Sequence, residues 1–357
     1  MFFVVVVLFI SSPVKAVTIN EFTIPTPTSG SFFITAGPDG NLWFTEENAN
    51  SIGRITTAGV ITEFPVPLAF PPFGLNGLRG ITSGPDGNLW FTEFNANRIG
   101  RITTSGVLTE FPLPNVFNAP FAITAGPDGN LWFTDWNNSN NSIGVITTGG
   151  VVTEFLIPSL DDSPEGIVMD TDGNLWFTGA GGGNSIGRIT ATGVFSEFPI
   201  PTANSVPTCI TMGPDNALWF TEGAGNNIGR ITLTGVITEY PVPTSISWPG
   251  CITTGSDGAL WFTELSGKKI GRITTDGVIT EYPVPGAFSA PRGITSGPDG
   301  NIWFVEASGN KIGQVVLAQS PAAAVVPTIS EWGMIVFALL TGLSSAYVLM
   351  RRQTPQV

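Results

Sequence analysis

The chain has 357 residues, with 14 basic and 27 acidic side chains, 44 glycines, 29 prolines, two cysteines and no histidine. The lack of histidine excludes imidazole bases and histidine metal ligands, and two cysteines are too few for a disulfide framework. With residues 1–16 and 318–357 set aside, 11 basic residues face 26 acidic ones, so the central body carries about −15 and repels phosphate backbones, which excludes nucleic acid as a partner.

Residues 1–16, MFFVVVVLFISSPVKA, read as a short secretory signal: an apolar run to Ile10, then Val14-Lys15-Ala16 as a small-residue cleavage site before Val17. From there one phrase recurs seven times, GPDGNLWFTE followed about a dozen residues later by IGRITT-G-VITEFPVP. Its tryptophans are Trp43, Trp90, Trp132, Trp176, Trp219, Trp261 and Trp303, spaced 47, 42, 44, 43, 42 and 42 residues apart. A period just above 40 with four short apolar segments per unit predicts an all-β, seven-bladed β-propeller over residues 17–317.

The second repeat shows the blade. Gly80-Ile81-Thr82-Ser83 is the innermost strand, Pro85-Asp86-Gly87 a turn, and Asn88 to Thr92 the second strand. Ile99 to Thr103 is the third strand and Val107 to Phe111 the outer one. The seventh repeat lacks a VITEFPVP segment of its own. That segment stands at the other end as Val17 to Pro25, so the first strand is expected to complete the last blade and remove two open edges. The repeated tryptophans then pack between blades, and the turn aspartates Asp39, Asp86, Asp128, Asp172, Asp215, Asp257 and Asp299 satisfy turn backbone. Arg54, Arg101, Arg188, Arg230 and Arg272 keep a constant offset from acidic residues such as Glu63 and Glu110, which suggests ion pairs between blades. Cys209 and Cys251 occupy matching places in neighbouring repeats, PTCIT and PGCIT. They could face each other near the channel, and two small buried thiols are the expectation over a bridge.

After Leu317 the composition changes. Residues 318–326 are a Pro/Ala-rich linker. Residues 327–352 hold VPTISEWGM, an apolar stretch and Arg351-Arg352, and 353–357 form a short cytoplasmic tail. This end resembles the IPTL-type C-terminal sorting signal of Gram-negative bacteria. The resemblance implies a transmembrane helix and a propeller held outside the cytoplasm, membrane-anchored or at the cell surface.

In a propeller, the loops leading into the innermost strands cluster at one mouth of the central channel. Here that lead-in reads Pro-x-(Gly/Ala/Cys)-Ile in most repeats, and the variable residues are Phe33, Arg79, Phe121, Glu165, Thr208, Gly250 and Arg292. Phe73 and Trp248 add aromatics to the rim. The candidate ligand-binding set is Arg79, Phe121, Glu165, Trp248 and Arg292: arginines to pair with an anionic group, Phe121 and Trp248 to stack on a ring or sugar.

The repeats carrying LWFTE, NxIGRIT and GxITEF resemble the virginiamycin B lyase (streptogramin lyase) family over residues 18–317. The resemblance implies a seven-bladed fold and a Mg2+-assisted elimination that opens a cyclic depsipeptide. It also implies histidines at the lead-ins of the sixth and seventh blades, with a glutamate two residues before the second. Those places hold Gly250, Arg292 and Ala290, none of which accepts a proton near neutral pH. Three readings follow. One is an exported, surface-associated propeller, monomeric, that binds a small molecule, glycan or protein at its mouth without catalysis and with no cofactor. The second is a Mg2+-dependent lyase with Glu165 as base and Asp161 or Asp162 as metal ligands. The third is a structural or adhesive envelope protein whose acidic sides, carrying the turn aspartates and Glu46, Glu93, Glu222, Glu264 and Glu306, bind divalent cations weakly.

Overall fold

The computed structural model describes residues 17–68, 74–114, 119–136, 141–159, 163–286 and 288–317. The signal, linker, sorting segment, Phe73, Asp161 and Asp162 lie outside these residues. The chain divides into two compact units, Met1–Leu317 and Ala318–Val357, and the first is the propeller. Among the described residues no helix is long and apolar enough to cross a membrane; the helix expected in 327–352 lies outside them.

The described residues form seven four-stranded antiparallel sheets and no helix. In the second blade the strands are Leu78–Ser83, Leu89–Glu93, Arg98–Ile102 and Leu108–Pro112, from the channel outward. The first strand, Thr18–Thr23, pairs antiparallel with Lys311–Val316 and finishes the last blade, as the displaced segment predicts.

The core lies between blades. Trp43, Ile52 and Val66 of the first blade pack against Leu78, Ile81, Leu89, Phe91 and Ile102 of the second. Trp176 joins the fourth blade to the fifth in the same way, and Trp303 joins the last to the first. Each tryptophan is enclosed, and its indole N–H still needs an acceptor. A turn aspartate supplies it: Trp90 Nε1 donates to Asp86 Oδ1 at 3.0 Å. In the fourth blade the acceptor is Asp170 at 2.7 Å, not Asp172, because Asp170 occupies the place of the turn glycine that opens the other repeats. Inside each blade a glycine lets the ring of the second strand lie flat on the third. A Cβ on Gly100 would sit 2.1 Å from Phe91 Cζ.

The recurrent arginines correct the sequence expectation. Their ion pairs lie within one blade and reach the turn aspartate: Arg230 to Asp215 at 2.6 Å, Arg272 to Asp257 at 2.7 Å. Arg54 lies 5.6 Å from the centroids of both Trp43 and Phe64. What passes between blades is a hydrogen bond to a carbonyl, Arg54 Nη1 to Thr104 O at 3.2 Å. Glu110 pairs with Arg98 of its own blade at 3.0 Å.

The glutamates read as cation-binding surface are also corrected. Glu46, Glu93, Glu222, Glu264 and Glu306 end their second strands fully enclosed. Each lies beside a glutamate of the outer strand: Glu63, Glu110, Glu239, Glu281 and Glu21 respectively. Burial first, and the neighbouring carboxylate second, push Glu46 up to about 9 and Glu93 and Glu306 up to about 8. The same causes raise Glu222 and Glu264 to about 7. The enclosed member of each pair is thus pushed toward its neutral form, and the pair does not offer two charges to a cation.

Carboxyls raised in the fold stabilise it below their ordinary value and lose that contribution as pH climbs through the folded values. The melting temperature should be higher at about pH 5 than at about pH 9, and Glu46→Gln, which keeps the shape and removes the charge, should flatten the slope. Equal melting temperatures at the two pH values would refute the assignment.

Candidate functional site

The mouth is built by a repeated irregularity. In all seven blades the register between the first and second strands shifts after the first residue of the innermost strand, for example between Leu78 and Ile81. The two residues inside the bulge leave the ladder, and a bulge re-aims its side chains. This is why the innermost strand begins at Leu78, two residues earlier than the sequence reading placed it. It also corrects one residue. By register Ser31 pairs with Glu46 and Ile34 with Phe44, so the first blade's counterpart of Arg79 and Phe121 is Phe32, not Phe33. Phe33 takes the inner place, held elsewhere by Gly80, Ala122, Gly166, Cys209, Cys251 and Gly293. Close approach of the next strand demands glycine at some of these: a Cβ on Gly80 would lie 2.7 Å from the Phe121 carbonyl oxygen.

A threonine hydroxyl locks each bulge to the next blade. Thr134 Oγ1 accepts from Ala122 N at 2.9 Å and donates to Glu165 O at 2.8 Å. Thr45 holds Arg79 in the same way and Thr263 holds Arg292. The seventh blade has Val305 at this position and has no such hydroxyl.

All five candidate residues, Arg79, Phe121, Glu165, Trp248 and Arg292, line one cavity of about 300 Å3 at the mouth. Phe32 separates the two arginines, with their guanidinium carbons 4.3 Å and 4.4 Å from its centroid. Arg79 is spoken for, since its Nη2 lies 2.8 Å from Glu47 Oε1 and its cation also faces Phe94 and Phe121. Arg292 has no hydrogen-bond or ion-pair partner among the described residues. The carboxylate of Glu165 has none either. Burial pushes Glu165 up to about 7 against the pull of Arg79 and Arg292. Burial, and then the charge of Arg79, lower Arg292 from the ordinary arginine value.

Phe121 does not offer a stacking face. Trp136 covers it at 5.2 Å and 7°, and Trp136 is itself fixed by its Nε1 donating to Pro164 O at 2.6 Å. The accessible ring is Trp248, which rests against Gly223: a Cβ there would come within 3.0 Å of the indole. Trp248, Val206, Ile246 and Ala290 have positive φ of 54°, 52°, 56° and 44°, a left-handed backbone that side chains with a Cβ seldom adopt. The same left-handed backbone recurs at Thr28, Gly30 and Gly77 in the lead-ins of the first and second blades, so it belongs to the repeated turn.

Opposite the arginines the wall is Val206, Leu265 and a disulfide. Cys209 and Cys251 are bonded, with Cα atoms 4.9 Å apart, and the expectation of two free thiols is corrected. The adjacent innermost strands bring the two bulges within bonding distance, which a spacing of 42 residues does not reveal. Sequence reasoning also missed Phe94, Trp136 and Leu265. They share a second variable position, immediately after the LWFT(E/D) strand, and its alternation of Glu47, Phe94, Trp136, Ala180, Gly223, Leu265 and Ala307 was the available signal.

The Mg2+ implied by the resemblance fits this cavity poorly. Among the described residues that line it the one carboxylate is Glu165, which feels the charges of Arg79 and Arg292; Glu47 is paired with Arg79, and the described residues contain no group of three metal-ligating side chains. Asp161 and Asp162 lie outside the described residues.

The closed seven-bladed ring and its bulged mouth define a propeller with a small-molecule-sized site. The chain belongs to the virginiamycin B lyase family, whose model matches residues 10–202 and again 167–328. The crystal structure of virginiamycin B lyase from Staphylococcus aureus has a TM-score of 0.78 and 41% identity, covering 85% of this chain and 100% of that one. A catalytically inactive histidine-to-alanine variant of that enzyme, solved with quinupristin, gives 0.78 and 42% over the same shares. Among curated virginiamycin B lyases, that of Bordetella bronchiseptica is 38% identical over 53 residues and that of Bacillus licheniformis 48% over 45. These two matches span only 18% and 15% of the relatives' own length.

If the threonine hydroxyls position the mouth, Thr134→Val should cost about 1–3 kcal/mol, because two buried backbone groups lose their partner. Val305→Thr should be neutral or stabilising, since a hydroxyl is added where six other blades use one. Thermal unfolding of both variants checks the pair, and a Thr134→Val protein as stable as its parent would contradict it.

Proposed function

We propose that this protein is an exported, surface-associated propeller whose mouth binds a small ligand through an anionic group and catalyses nothing. The observation carrying this reading is Arg292, a half-buried guanidinium with no ion-pair partner among the described residues, facing a cavity walled by aromatic and aliphatic side chains. A half-buried, unpaired cation has given up part of its hydration, and an anion at the cavity replaces it. The places where the family resemblance puts histidine bases hold Gly250 and Arg292, and both line the cavity. The Cys209–Cys251 bridge suits an oxidising compartment, in agreement with the signal read in residues 1–16 and the sorting segment in 327–352.

Thermal-shift screening against small carboxylates and phosphates should find stabilising ligands, and Arg292→Ala should abolish the shift. A ligand bound with unchanged affinity by Arg292→Ala would place binding elsewhere.

One observation favours a second reading, a lyase. Glu165, raised to about 7, is poised as a base at neutral pH in the cavity that holds both guanidiniums. Its carboxylate would take the proton from the carbon next to an ester-bearing carbon. The electron pair would then form a C=C bond as the C–O bond breaks and the ester oxygen leaves as a carboxylate, with Arg292 steadying the enolate. Elimination opens a ring without changing its mass, whereas hydrolysis adds water. Mass spectrometry of a type B streptogramin incubated with the protein, with and without Mg2+, should show the unopened ring. An isomeric linear product lost in Glu165→Gln would establish the lyase instead.

A further inference from the structure

The charges lining the mouth limit the ligand further, on the reading that Arg292 receives an anionic group. Arg79 and Glu47 neutralise each other at 2.8 Å. What remains is one guanidinium, Arg292, and one carboxylate, Glu165, each without a hydrogen-bond or ion-pair partner among the described residues and not paired with each other, although both line the same cavity. Both side chains are half-buried. Both groups are pushed by burial toward their neutral forms, so each would gain from a counter-charge. A simple anion satisfies Arg292 and leaves Glu165 next to a second negative charge. A simple cation does the reverse. A ligand carrying both charges satisfies the two together and leaves the cavity neutral.

We infer that the mouth binds a zwitterion of the α-amino acid class with a large apolar side chain, its carboxylate at Arg292, its ammonium at Glu165 and its side chain against Trp248 and Leu265. The last assignment follows from the walls. Phe121 is covered by Trp136 and Phe32 lies against both guanidiniums; of the other apolar residues lining the cavity, among them Phe33, Phe94, Val206 and Leu265, Trp248 is the most exposed. At about 300 Å3 the cavity suits one amino acid or a very short peptide with free termini.

The test uses three probes that differ in charge alone: L-phenylalanine, N-acetyl-L-phenylalanine, which lacks the ammonium, and L-phenylalaninamide, which lacks the carboxylate. Titration calorimetry of the full chain should show the free amino acid binding, with each blocked form weaker by at least about tenfold. Glu165→Gln should weaken L-phenylalanine by a similar factor and leave N-acetyl-L-phenylalanine bound as tightly or more tightly, since it removes a like charge. The pH dependence gives a readout that a general loss of fold would not mimic. The charged groups around Glu165 are Arg79, Arg292 and, behind them, Glu47. As Glu165 ionises through about 7, affinity for the zwitterion should rise and affinity for a simple anion should fall.

If N-acetyl-L-phenylalanine binds as tightly as the free amino acid, the inference is overturned while anion binding at Arg292 stands. If the amide binds as tightly as the free amino acid, both are overturned. Heat from none of the three overturns the inference, and the Arg292→Ala screen then decides the broader reading by itself.

Discussion

The ring closes because its first strand hydrogen-bonds to its last hairpin, and without that joint there is neither a channel nor a mouth. Thr18–Thr23 runs in register with Lys311–Val316 over six pairs. Side chains reinforce the seam: Lys311 Nζ lies 2.7 Å from Glu21 Oε2, Asn20 donates to Gln314 at 2.9 Å, and Phe22 stacks on Trp303 at 5.6 Å. The next joint, from the seventh blade to the first, is the one between blades that lacks a threonine hydroxyl, because Val305 stands there. Arg292 of the seventh blade lies over Phe32 of the first, and Arg79 of the second lies against the same ring. The basic half of the cavity therefore also ties the ring together where its backbone link is absent. Binding chemistry and closure share these residues, and a ligand at Arg292 would bear on the stability of the ring.

Repetition explains why the site is asymmetric without a break in the scaffold. Seven bulges deliver seven side chains to the mouth at equal intervals, and the fold asks nothing of their identity. Arginine, phenylalanine, glutamate, threonine and glycine all fit there because their backbones are held by hydroxyls from neighbouring strands, not by their own side chains. Function can then change by substitution at the mouth with little cost to the core, which lies elsewhere, in the tryptophan layers between blades. The acid pairs are the opposite case. They recur because they belong to the scaffold, and burial makes them poor ligands for anything outside it.

The fold was legible because a period near 42 residues and a displaced outer strand leave almost no other architecture. The five candidate side chains were legible for a related reason: against a repeated background, positions that vary from blade to blade stand out. What sequence missed is what depends on register. The offset was in the sequence, since Arg79 stands two residues before Ile81 as Phe32 does before Ile34, but two adjacent phenylalanines hid it until the register of the bulge separated them. Phe94, Trp136 and Leu265 reach the cavity from the far end of the second strand, a convergence that needs the turn geometry as well as the repeat. Glu46 and its counterparts look like surface acids in a chain so acidic, until the outer strand is laid over them. The thiols of Cys209 and Cys251 are bonded because two inner strands approach closely, a distance that no spacing encodes.

The two functional readings differ in what Glu165 faces, not in its own properties. A carboxyl raised to about 7 can act as a base or as a counter-ion, and nothing about its titration separates the two. The difference lies in Arg292. A histidine at that lead-in could hand protons on, whereas a guanidinium keeps its charge through any accessible pH and can only attract. Replacing a group that titrates by one that does not turns a proton-transfer site into an electrostatic one. In such a site Glu165 either balances the fixed cation through a ligand or stands near it unused. Glu165 is half-buried, so its carboxylate keeps part of its hydration, and which of the two it does is decided by the group a ligand sets against it.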